Sequence, residues 1–198
     1  MNYVFPVLIV LVIMFTAVLV SQILVLLDKN SPAAFRNYLS PARPLVFASA
    51  TFLTSVLLVG FQALIILTIA GLFFTAQIIS TFGTTALVLL IVIVLFSLVG
   101  MLIGELFKTE ETATLAAVML GSALLFVSDV IIPIESMPSW LQAFSSQNPF
   151  VLGSTVLRRT MLFNASTGDV SSQLFALIGY CIVFGGALAI AIKLRKKL

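Results

Sequence analysis

Of 198 residues, 61% are hydrophobic and only 9% are charged, and the mean hydropathy is +1.25. Such a composition excludes a soluble globular domain, because a chain of this length cannot cover that much apolar surface by folding on itself. The formal charge of +3 comes from cations at the ends of apolar runs, where they answer to membrane topology, so nucleic acid is not an expected partner. The single cysteine, Cys181, excludes an intrachain disulfide, and the lack of histidine removes the commonest metal ligand and general base.

A helix needs roughly 20 apolar residues to cross about 30 Å of hydrocarbon. Residues 4–27 meet this without a charge, and residues 45–74, 86–107, 113–132 and 174–192 follow as further runs. The runs are too long for barrel strands and do not alternate apolar with polar residues. The expected fold is therefore all-α: one transmembrane domain over 1–198, with about five spans and short re-entrant helices on the outer side.

The polar island at 28–44 carries Lys29, Arg36 and Arg43, with Pro and Ser positions that favour turns. Placing it on the cytoplasmic side with Lys108 and the C-terminal Lys193, Arg195, Lys196 and Lys197 puts eight cations inside and only Arg158 and Arg159 outside. With five spans and a cytoplasmic C-terminus, the N-terminus is expected outside. A first helix in that orientation, with no flanking cation, implies that the chain is a natural short form or the later part of a larger membrane protein.

Thr109 is placed to cap the fourth span, with Glu110 and Glu111 in its first turn where acids oppose the helix dipole. Gly100 and Gly104 form a small-xxx-small face that lets two helices approach closely, within the chain or between two copies. Asp129 lies about one turn before Pro133; either it sits at headgroup level or it lines a polar path. Gln62 is a polar group inside the second span, suited to an interhelical hydrogen bond or to the path.

The segment 133–172 is the outer connection. Pro133 and Pro138 interrupt any helix continuing from the fourth span, and Trp140 suits interfacial depth. Its apolar content, in short amphipathic stretches, favours helices that dip into the membrane over a loop left in water.

Several stretches in this order resemble a known family. They are Leu39-Ser40-Pro41 before the second span, the Lys108–Leu115 stretch, Pro133 through Met137, Pro138 and Trp140, and finally Asn148-Pro149 and Arg158. Together they resemble the permease subunit of an ATP-binding-cassette exporter of the type-2 class, over nearly the whole chain. The resemblance implies that 28–44 is the coupling segment that docks on a separate ATPase subunit. Lys29, Phe35, Arg36, Tyr38 and Arg43 would serve that contact, with Glu110 and Glu111 as a second point. It implies an outer gate built from Pro133, Met137, Pro138, Trp140, Asn148, Pro149 and Arg158. It also implies a second permease copy, a lipid bilayer setting in the plasma membrane, and ATP with Mg bound by the partner alone. The chain carries no nucleotide-binding, nucleophile-elbow or metal-spaced acidic motif, so no enzyme activity is expected of it. The alternative is a non-transporting membrane scaffold, or a truncated or split permease fragment.

Overall fold

The computed structural model describes residues 4–31, 44–74, 82–131, 136–163, 165 and 168–195. Phe35, Arg36, Tyr38, Arg43 and Pro133 lie outside the described residues, as does most of the coupling segment. Among the described residues seven helices follow one another: α1 (Val4–Asn30), α2 (Pro44–Phe74), α3 (Phe82–Leu106), α4 (Glu110–Phe126), α5 (Ser139–Gln147), α6 (Pro149–Phe163) and α7 (Ser171–Arg195). No strand occurs among the described residues.

Among the described residues four helices are long and apolar enough to cross a membrane: α1, α2 over Leu45–Gly71, α3, and α7 over Ser171–Leu194. The expected fourth span is shorter than its apolar run. Helix α4 stops at Phe126 after 17 residues, about 25 Å at 1.5 Å per residue. Beyond it the chain turns through Ser128 and Asp129 and then folds back as the short pair α5 and α6.

The centre is α1 against α3. Buried positions on α1 (Val10, Met14, Ala17, Ser21, Val25) recur every three or four residues, and Val88, Val92, Phe96, Val99 and Ile103 do the same on α3. A Cβ added at Gly100 would come within 2.8 Å of Val18 Cα and nearer still to its carbonyl oxygen. One added at Gly104 would meet the Gln22 carbonyl oxygen at 2.9 Å. Register therefore advances together on both helices, so they run parallel with backbones in contact. The small-residue face expected from sequence packs inside the chain, against α1.

Each neighbour adds one stripe. Helix α4 buries Ala113, Ala117 and Gly121, and a Cβ at Gly121 would lie 2.7 Å from the Phe15 ring. Helix α2 turns Thr51, Ser55, Val59, Ala63, Leu67 and Ala70 inward and leaves Leu57, Phe61 and Leu64 exposed. Helix α7 sets Leu188 and Ile192 beside Val25 and Met101, while Phe175, Ile182 and Val183 face outward. Apolar outer faces of this kind are what lipid covers.

Alanine at the two glycines Gly100 and Gly60 should therefore behave oppositely. Gly100→Ala forces the α1–α3 backbones apart and should cost about 1–3 kcal/mol, the usual range for overpacking. Gly60 has nothing within 4 Å of an added Cβ. Gly60→Ala should be neutral or raise stability by up to about 1 kcal/mol, because alanine is the better helix former. Thermal unfolding of the detergent-solubilised protein checks both.

Candidate functional site

The residues singled out from sequence fall into two groups at opposite ends of the bundle. Gln22 Nε2 donates to Thr114 Oγ1 at 2.9 Å, and Gly121 sits against Phe15, so α4 runs antiparallel to α1. The C-terminal ends of α1 and α3 thus share one side with the start of α4. The end of α4 lies toward the start of α1.

At the first end, Lys29 is the informative residue. Its Nζ pairs with Glu105 Oε2 at 2.9 Å and donates to the carbonyl oxygens of Gly104 at 2.6 Å and Glu105 at 2.9 Å. Helix α3 has no basic residue in its own last turn, so a cation from α1 supplies the charge that a helix C-terminus favours. The side chains of Lys29 and Glu105 are only 13% and 10% exposed. Lys29, expected to serve a partner, is thus turned into the bundle. Its neighbour Asp28 accepts a hydrogen bond from Thr51 Oγ1 on α2.

Thr109 caps α4 as expected, accepting from the Thr112 amide at 3.4 Å. Glu110 and Glu111 occupy the first turn and are exposed, as are Lys108 and Thr109. Gln62 is half-buried beside the inward stripe of α2.

At the other end, α5 and α6 make a hairpin whose tip is Asn148. Pro138 precedes α5, Gln142 Nε2 donates to the Met137 carbonyl at 2.9 Å, and Met137 is buried. Pro149 takes the first position of α6, where a missing N–H costs nothing. Asn148 Oδ1 accepts from the Phe150 amide at 2.9 Å, capping α6. Its Nδ2 donates to the carbonyls of Leu124 at 2.7 Å and Val127 at 3.2 Å, closing the end of α4. Tyr180 on α7 donates to the Gln147 carbonyl at 2.7 Å, closing the end of α5. Gly153 brings α6 against Val92 and Val10, so the hairpin packs beside the first halves of α1 and α3.

Asp129 and Arg158, picked out separately from sequence, meet across this hairpin. Arg158 Nη2 lies 3.4 Å from Asp129 Oδ2, with side chains 30% and 18% exposed. Asp129 Oδ1 is buried without a hydrogen-bond partner. Trp140 and Phe144, one turn apart on α5, are both largely exposed. Thr51 makes the interhelical hydrogen bond that suits a polar group inside a span, but sequence reasoning missed the roles of Asp28 and Tyr180, since nothing local marks which distant helix end a side chain will reach. Among the described residues, no group of three or more acidic, cysteine or histidine side chains is placed to hold a metal.

Long apolar helices around a parallel central pair, with a short hairpin folded back beside them, define a polytopic helical membrane protein. The family model for the ABC-2 type transporter matches residues 1–162, most of the chain, and the chain belongs to that family of membrane transport components. A relative in Cyanophora paradoxa, named "Putative transport permease ycf38", is 33% identical over 93 residues. That match spans 47% of this chain and 31% of the relative, so the chain covers about a third of that protein's length. No solved structure matches.

Asn148→Ala removes the cap of α6 and two carbonyl contacts of α4, and should cost about 2 kcal/mol in thermal unfolding. Asn148→Asp keeps the cap but sets a carboxylate against two carbonyl oxygens, and should destabilise at least as much. The part-exposed Asp129–Arg158 pair should show a coupling of no more than about 1 kcal/mol in a double-mutant cycle of Asp129→Asn and Arg158→Gln.

Proposed function

We propose that this chain is the membrane-spanning subunit of an ATP-driven exporter, forming the translocation path and working with a separate ATPase. The family match over residues 1–162 is the observation that carries the reading. The bundle is compatible with it in one specific respect: a hairpin, α5–α6, packed beside the first halves of the central helices. On this reading the hairpin seals the outer side of the path. ATP and Mg bind to the partner, and the chain itself makes no covalent chemistry.

The cation distribution supports a cytoplasmic side bearing segment 28–44, the start of α4 and the C-terminus, in the plasma membrane. The N-terminus is then outside. Segment 28–44 docks on the ATPase through Phe35, Arg36, Tyr38 and Arg43, with the exposed Glu110 and Glu111 as a second contact. Two permease copies face each other, and cargo leaves between them by an alternating-access change of rigid-body type.

The test is purification of the tagged chain from its native membrane, followed by mass spectrometry and a vanadate-sensitive ATPase assay. An ATPase should co-purify, and Arg36→Glu with Arg43→Glu should weaken its retention by about tenfold or more, the effect of reversing interfacial charge. A folded chain with no ATPase partner would overturn the reading.

A further inference from the structure

Consecutive residues on an α-helix point about 100° apart, so a neighbouring pair can reach two different helices. Asp28 and Lys29 do this in the last turn of α1. Asp28 holds Thr51 on α2, and Lys29 holds Glu105 and the terminal carbonyls of α3. An ammonium has three donors, and Glu105 Oε2, Gly104 O and Glu105 O all lie within hydrogen-bonding reach of Lys29. A largely buried cation satisfied in this way resists separation, because breaking it leaves an uncompensated charge. Thr51 Oγ1 also lies 3.1 Å from the Phe47 carbonyl, so its one proton is shared between Asp28 and its own helix.

The position of this knot is what gives it a role. Residues 28 and 29 open the segment assigned to the ATPase contact, and α2 starts where it ends, at Pro44. Glu105 lies one residue before the end of α3, and α4 starts at Glu110 after a short turn. The ends of α1 and α3, a point about two turns into α2, and through that turn the start of α4 are therefore tied at one place.

We propose that Asp28, Lys29, Thr51 and Glu105 are positioning residues for coupling. They lock the helix ends around the docking segment into one body, so that a displacement delivered there moves α1, α2 and α3 together. The inference rests on the permease reading above. Lys29 acts on this view through α3 and makes no contact with the ATPase. The distant end of the bundle, where α5 and α6 lie, is where the movement is read out.

The experiment uses the whole complex with its ATPase, with Cys181→Ala to remove the native thiol and Phe144→Cys to carry a fluorescent label on α5. ATP with vanadate should change the label's signal in this background. Thr51→Val and Glu105→Gln, each nearly isosteric, should retain the ATPase and its hydrolysis. They should cut the nucleotide-driven change by about three- to tenfold, the size expected when a coupling network is weakened. Lys29→Arg, which keeps the charge and the donors, should retain most of the change. Variants that respond like the parent overturn the inference alone, as do variants that lose the ATPase together with the signal. An ATPase missing from the parent preparation overturns the permease reading and this inference with it.

Discussion

Contact between the α1 and α3 backbones at Gly100 is the constraint from which the rest of the bundle follows. In lipid there is little hydrophobic gain from bringing two apolar helices together, so association depends on close packing and on small residues that permit it. Gly100 and Gly104 let α3 lie along Val18 and Gln22 of α1. The same device recurs where other elements meet this pair: Gly121 of α4 on Phe15, and Gly153 of α6 on Val92 and Val10. Helices α2 and α7 lack it. Gly60, Gly71, Gly179 and Gly186 have open space beside them, and these two helices expose most of their apolar surface. Close approach at a glycine thus marks α1, α3, α4 and α6, whereas α7 lies along α3 and α2 along α1 without it.

A second constraint is that backbone carbonyls at helix ends must find donors where water is scarce. In this bundle the donors come from other helices. Lys29 of α1 serves the end of α3, Asn148 at the start of α6 serves the end of α4, and Tyr180 of α7 serves the end of α5. Each such bond fixes where a helix stops and what it stops against. Asn148 and Tyr180 fix the tip of the hairpin α5–α6, and the buried face of α6 from Phe150 to Met161 holds its length.

These cross-helix caps explain which features could be read from the sequence. The runs that became α1, α2, α3 and α7 are legible because length and hydropathy suffice. The cap at Thr109 is legible because its partner is three residues away. The end of α4 is not. Its apolar run continues past Phe126, and the side chain that closes the helix, Asn148, lies 21 and 24 residues beyond the carbonyls it serves. Gly100 and Gly104 announced a close approach without naming the partner. Asp129 and Arg158 each stood out as charges in apolar surroundings, yet nothing local marks them as a pair. Lys29 misled in a different way: a cation beside a span reads as a handle for the aqueous side, and here it is folded inward onto α3.

The two ion pairs differ in a manner that bears on motion. Lys29–Glu105 is the more buried, at 2.9 Å, with the ammonium also bonded to two carbonyls. Asp129–Arg158 is a single contact at 3.4 Å, more exposed, with one carboxylate oxygen left without a partner. Separating the first strands a buried charge and two helix-end carbonyls, whereas separating the second returns two part-exposed groups toward solvent. At the hairpin end the holding is done instead by Asn148, whose amide bonds the Leu124 and Val127 carbonyls, so the Asp129–Arg158 contact can part without freeing α6 from the end of α4.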